Sequence, residues 1–159
     1  MSWMRVLLAA CLAANLAACS SPGHPLPGTP DHAKAAIVAT LERLIVADNA
    51  CDLETVLSCY TEDVIWLPPG EPPVSGKTAI AARYGKLFGS SRLELDIEVA
   101  DAFADGTVGS AWGFTRGSIT PVAGGDRTEV NDKFLAVLRW DGSAWRVAQL
   151  AWSPQAHAP

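Results

Sequence analysis

Apolar residues recur every three to four positions through the first half of the chain and every second position through much of the rest, so helices should precede strands. Ile37, Leu41, Leu44, Ile45 and Asp48 lie at helical spacing and predict a first helix from about Pro30 to Asn49, with Thr29 as cap and Pro30 in its first turn. Asp52 caps a second, short helix from Leu53 to Tyr60, whose inward side is Leu53, Val56, Leu57 and Tyr60. Val64 to Leu67 then reads as a strand, stopped by the Pro-rich segment from Pro68 to Pro73 because proline cannot donate to a ladder. Gly76 opens a third helix, Lys77 to Phe88, with Ile80, Tyr84, Leu87 and Phe88 apolar and Gly89 closing it.

After Gly89 the period becomes two. Leu93 to Val99 alternates strictly, with an acidic face for water. From Thr107 to Thr120, Val108, Ser110, Trp112, Phe114 and Arg116 stand opposite a face of Gly109, Ala111, Gly113, Thr115 and Gly117, which admits another backbone or leaves room for a ligand. Val130 to Trp152 holds two Val-, Leu- and Trp-rich runs around the turn Asp141-Gly142-Ser143-Ala144, a hairpin. Counting back from that turn pairs Trp140 with Trp145, Leu138 with Val147, Ala136 with Gln149 and Phe134 with Ala151, and brings Asp132 onto the same face opposite Ser153. A bulge at the turn would place Leu150 and Trp152 there instead of Gln149. Three helices followed by antiparallel strands make an α+β domain, its helices packed on one face of a curved sheet.

Composition narrows the class. Of 159 residues, 49% are apolar and 18% charged, which suits one packed domain. The net charge is −5, and the Lys and Arg residues form no stripe, so neither nucleic acid nor anionic lipid head groups are expected as partners. Arg5 precedes an apolar run, Val6 to Ala18, of signal-peptide length. Leu16-Ala17-Ala18-Cys19 resembles the lipobox of bacterial lipoproteins, which implies cleavage after Ala18 and lipidation of Cys19; the alternative is an ordinary signal peptide that leaves Cys19 free. Ser20 after that cysteine is similar to the pattern of lipoproteins sent to the periplasmic face of the outer membrane. Ser20 to Pro30 is a Pro/Gly-rich tether, roughly 30 Å long if extended. Cys51 and Cys59 would stand roughly 12 Å apart along a helix axis, beyond the ~7 Å that a disulfide spans.

Four local signatures occur in order: Asn49-Ala50-Cys51-Asp52-Leu53, Tyr60 to Trp66, Val74 to Ile80 and Asp141 to Val147. Together they resemble the SnoaL-like branch of the ketosteroid isomerase-like, nuclear transport factor 2-like superfamily, over about residues 31–153, with 154–159 left as a tail. The resemblance implies a cone-shaped sheet around the first helix, a pocket inside the cone and often a homodimer through the sheet's outer face. It also implies where isomerase groups would fall: the base near Pro68 and a helix-one tyrosine near Leu44. Neither residue fits, and only Asp132 matches, at the position of a donor acid, so steroid isomerase chemistry is not expected.

The remaining candidates have two readings each. Asp132 is either an acid or base inside the cone or a solvated residue paired with Lys133 or Arg127. Tyr60 either aims its hydroxyl into the cavity or anchors the second helix, and Asp63 at a helix end bonds the backbone or takes part in chemistry. Trp66, Trp112, Phe114 and Phe134, with Gln149 as a polar contact, are the candidate pocket residues; otherwise the large aromatics fill the cone and a dimer interface. Trp140 and Trp145 read as structural. Gly76-Lys77-Thr78 lacks the glycine that a phosphate-binding loop needs at Glu71. His24, His32 and His157 lie near the mature chain's ends without ligand spacing, so neither metal nor cofactor is expected. The expectation is an envelope-anchored lipoprotein whose domain binds a small apolar or aromatic molecule. Its rivals are a non-catalytic interaction module and a small-molecule isomerase, cyclase or hydrolase using Asp132.

Overall fold

The computed structural model describes residues 28–155. Helix α1 (Pro30–Ala50) begins where Thr29 Oγ1 accepts from the His32 amide, and it ends at Cys51, whose left-handed backbone (φ 53°) turns its amide back onto the carbonyls of Ala47 and Asp48. Helix α2 (Leu53–Ser58) is capped by the Asp52 carboxylate on the Thr55 amide at 3.0 Å. Strand β1 (Tyr60–Leu67), the short β2 (Val74–Ser75), helix α3 (Lys77–Ser90) and strands β3 (Ser91–Asp105), β4 (Val108–Pro121), β5 (Thr128–Trp140) and β6 (Trp145–Pro154) follow. The order is that of an α+β chain, with the helices in its first part.

Helix α2 is shorter than its apolar spacing predicts. Tyr60 belongs to β1, because its backbone pairs with Val147 of β6 and the Cys59 carbonyl accepts from the Val147 amide at 2.8 Å. Ladder bonds of this kind outweigh the weak propensity of one further helical turn. Cys51 and Cys59 are free. Asp63 faces outward on the same strand and pairs with Arg139.

All six strands form one curved sheet in the order β2-β1-β6-β5-β4-β3, antiparallel except where β1 runs beside β6. Helix α1 lies in its concave side and buries Ile37, Leu41 and Leu44 against Ala136, Leu138 and Trp145. The small residues of β4 make this packing achievable. A Cβ on Gly109 would stand 2.4 Å from Ile37 Cδ1, and one on Gly113 would stand 1.9 Å from the Glu98 carbonyl oxygen. Glycine therefore lets α1 press onto the sheet and lets β3 fold inward over β4. Asn49, near the end of α1, donates to the Leu95 carbonyl at 2.7 Å and accepts from the Leu95 amide at 2.8 Å, so helix and strand β3 are tied by two bonds.

The closing hairpin follows the expected register only near its turn. Trp140 pairs with Trp145 and Leu138 with Val147, but Val137 then pairs with Gln149, so Ala148 is an extra residue. This bulge turns the rest of β6 over: Ala136 faces Leu150, Phe134 faces Trp152 and Asp132 faces Pro154. Pairing continues to Gln155, which bonds Asn131 through both backbone and side chain. The apolar run from Val6 to Ala18, Cys19 and His157 lie outside the described residues.

Candidate functional site

An open cavity of about 230 Å³ lies between α1, α3 and the concave face of the sheet. Each element supplies its part through its own period. Helix α1 presents Leu41, Leu44 and Asp48 from one stripe, α3 presents Tyr84 and Leu87, and the alternation of β5 sends Phe134 and Asp132 inward while Leu135 points out. The bulge in β6 adds Leu150 and Trp152.

The walls are aromatic. Trp66 meets Tyr84 edge to face at 5.2 Å and Trp152 at 5.5 Å, and Tyr60 stands 5.8 Å from Trp66. Tyr60 is fully buried and its hydroxyl lies 3.2 Å from that of Tyr84. Tyr84 in turn interacts with the carboxyl of Asp48. Asp48 is 6% exposed, and its Oδ1 has no hydrogen-bond partner. Burial pushes its carboxyl up to about 7, against the opposing pull of the Tyr84 donor. Burial likewise pushes the Tyr60 and Tyr84 hydroxyls well up, so both stay neutral. The Trp66 indole N–H is buried without a hydrogen-bond partner among the described residues.

Asp132 lines the same cavity in a partly exposed position, and burial raises its carboxyl modestly. It is not held by the neighbouring bases, since Arg127 pairs with Glu94 and Glu129. Of the expected pocket residues, Trp66, Phe134, Tyr60 and Asp132 are brought together here. Three others are not. Gln149 is exposed on the convex face because the Ala148 bulge reverses its direction. Trp112, 48% exposed, and Phe114 also lie on the convex face, since it is the glycine side of β4 that turns inward. There they pack against each other at 6.0 Å, with Arg116 over the Phe114 ring at 5.1 Å.

Asp48 and Tyr84 are polar lining residues that stand in the sequence as members of apolar stripes. The signal for Asp48 was its charge on an inward helical face. It stands one turn beyond Leu44, where the family resemblance expects a tyrosine, and supplies a polar group to the same hollow. At neutral pH its carboxyl is divided between acid and carboxylate, the condition in which a group can either give or take a proton. Among the described residues no cluster of His, Cys, Asp and Glu could hold a metal ion.

A curved sheet closed over a helix, with a sparse polar cluster in an apolar hollow, defines the nuclear transport factor 2-like, ketosteroid isomerase-like class of α+β proteins. The chain belongs to the SnoaL-like domain family, whose model matches residues 41–147. Among solved structures it is similar to a ketosteroid isomerase-like protein from Erwinia carotovora atroseptica, at 25% identity and a TM-score of 0.69 over 77% of this chain and 96% of that one. It also resembles a nuclear transport factor 2-like protein of unknown function from Pseudomonas putida (19% identity, TM-score 0.67, 82% and 92% covered). A domain of unknown function with a cystatin-like fold from Nostoc punctiforme is a third (18% identity, TM-score 0.63, 81% of each chain). No curated protein matches the chain.

Proposed function

We propose that this domain binds a small apolar or aromatic molecule inside the cone and works at the bacterial cell envelope, held there by a lipid on Cys19. The observation that carries the binding reading is the open cavity of about 230 Å³ with apolar walls and few polar groups. An apolar cavity of about 150 Å³ is large enough for benzene, so this one suits a molecule of one or two rings. Trp66 and Trp152 stand in the wall, so their emission reports occupancy. Titration with a panel of ring compounds is expected to quench or shift that emission with saturable dependence. A flat response to every member of the panel would remove the binding reading.

The envelope part of the reading rests on the sequence. The signal-like run and the Leu16-Ala17-Ala18-Cys19 motif support the anchor, and Cys19→Ala should move the protein from the detergent phase to the aqueous phase of a phase-partition assay. Enzymatic turnover is a second reading, favoured by one observation: two carboxyl groups, Asp48 and Asp132, line one hollow with raised titration.

A further inference from the structure

The charge balance of the cavity is one-sided. Its lining holds two acids, Asp48 and Asp132, and among the described residues it holds no Lys, Arg or His. Asp48 is more than nine-tenths buried, and Oδ1, the oxygen without a partner, belongs to a side chain in the cavity wall. An acid buried in an apolar wall without a counter-charge is costly to ionise, so an occupant that brings a positive charge to the carboxyl gains from it. The same lining holds the rings of Trp66, Tyr84, Phe134 and Trp152, and aromatic faces attract cations.

We propose that the cone is a site for a small ring-bearing organic ammonium ion, its N–H groups toward the Asp48 carboxyl and its hydrocarbon body among Trp66, Tyr84, Phe134 and Trp152. This rests on the reading that the cone holds a ligand, and it names the ligand's class. A carboxylate ligand would enter a hollow with two acids and no counter-charge. A neutral alcohol would also donate to the ionised Asp48 carboxyl, but it brings no charge, whereas an ammonium ion neutralises the buried carboxylate. An alkylammonium ion keeps its charge to about pH 10, as lysine does, so across neutral pH the protein side sets the pH dependence.

The groups facing Asp48 come from every neighbouring element: Tyr84 from α3, Tyr60 from β1, the Cys59 thiol after α2, and Asp132 of β5 in the shared cavity lining. Burial keeps the two phenols and the thiol neutral through this range. Asp48 must be ionised to hold the ammonium ion, and its carboxyl titrates at about 7. Affinity should therefore fall about tenfold from pH 8 to pH 6, following the ionised fraction.

Calorimetric titration of the full chain with 2-phenylethylammonium, 2-phenylethanol and phenylacetate at pH 6 and pH 8 tests this. At pH 8 the ammonium compound should bind at least tenfold more tightly than the alcohol, and phenylacetate most weakly. Asp48→Asn should abolish that preference and its pH dependence while still binding 2-phenylethanol, which shows the cavity intact. Asp132→Asn should leave the pH dependence in place. Equal affinity for alcohol and ammonium at pH 8, or an Asp48→Asn variant that still discriminates, overturns the proposal, as does a pH dependence that vanishes with Asp132→Asn. If the alcohol binds and the ammonium does not, the cone remains a binding site and only the ammonium assignment falls; if none of the three binds, both fall.

Discussion

Asp48 illustrates how one side chain couples the stability of the fold to the chemistry of its hollow. Its folded-state titration at about 7 lies above the ~3.9 of an unfolded aspartate, so over that interval the native chain keeps a proton that the unfolded chain has released. The stabilisation from this group is complete below the unfolded value and is lost as pH rises through 7. The total at stake has an upper bound of roughly 4 kcal/mol. Urea unfolding at pH 5.5 and pH 8 should therefore show wild-type stability falling by more than that of Asp48→Asn. Equal pH dependence in the two proteins would mean that the carboxyl is not desolvated. At this scale the chain was partly legible. Period alone put Asp48 on the inward stripe of α1, but only the packed structure shows that Tyr84 reaches it and that Oδ1 is left without a partner.

Among the elements, the closing hairpin separates what pattern can and cannot reveal. The two Trp-bearing ends and the Asp141 turn were readable because local chemistry determines them; the Asp141 carboxylate accepts from the Ser143 and Ala144 amides at 2.9 Å. The Ala148 bulge was not readable, because nothing about an alanine between Val147 and Gln149 marks it as the extra residue. One unsignalled residue exchanged Gln149 for Leu150 and Trp152 in the cavity wall. Similarly, the alternation on β4 was read correctly as two faces, but which face turned inward depended on how closely α1 and β3 approach Gly109 and Gly113. The bulge makes a direct prediction. Trp152→Ala should weaken binding of a ring compound at least tenfold and cost about 1–2 kcal/mol of stability, since the ring is only half buried. Gln149→Ala should change neither by a measurable amount. Binding data that reverse this order would restore the unbulged register.

The whole molecule presents a convex face with an apolar row across four strands. Leu67, Ala151, Leu135 and Trp112 are consecutive partners from β1 to β4, and Leu67, Leu135 and Trp112 are each more than 40% exposed. Phe103, 63% exposed, and Phe114 flank them. Such a patch on a small domain marks an interaction surface. We propose that a second copy covers it. Sedimentation equilibrium should give a dimer that Leu135→Glu converts to monomer without loss of fold; a monomeric wild-type protein at tens of micromolar would refute the pairing. The fold class and the order of elements were legible from the periods alone. This outer face was not, because Trp112 and Phe114 look equally suited to a core until the curl of the sheet assigns a side.

The two bonds between Asn49 and Leu95 have a consequence for how copies of this chain meet. Strand β3 ends the sheet, and at Leu95 on that rim the carboxamide of Asn49 already occupies both the donor and the acceptor that a newcomer's backbone would need. The opposite rim is only the two residues Val74–Ser75, too brief to template an added strand. Growth of the sheet into fibrils by sideways stacking is thus hindered at both borders, however crowded copies of this chain become.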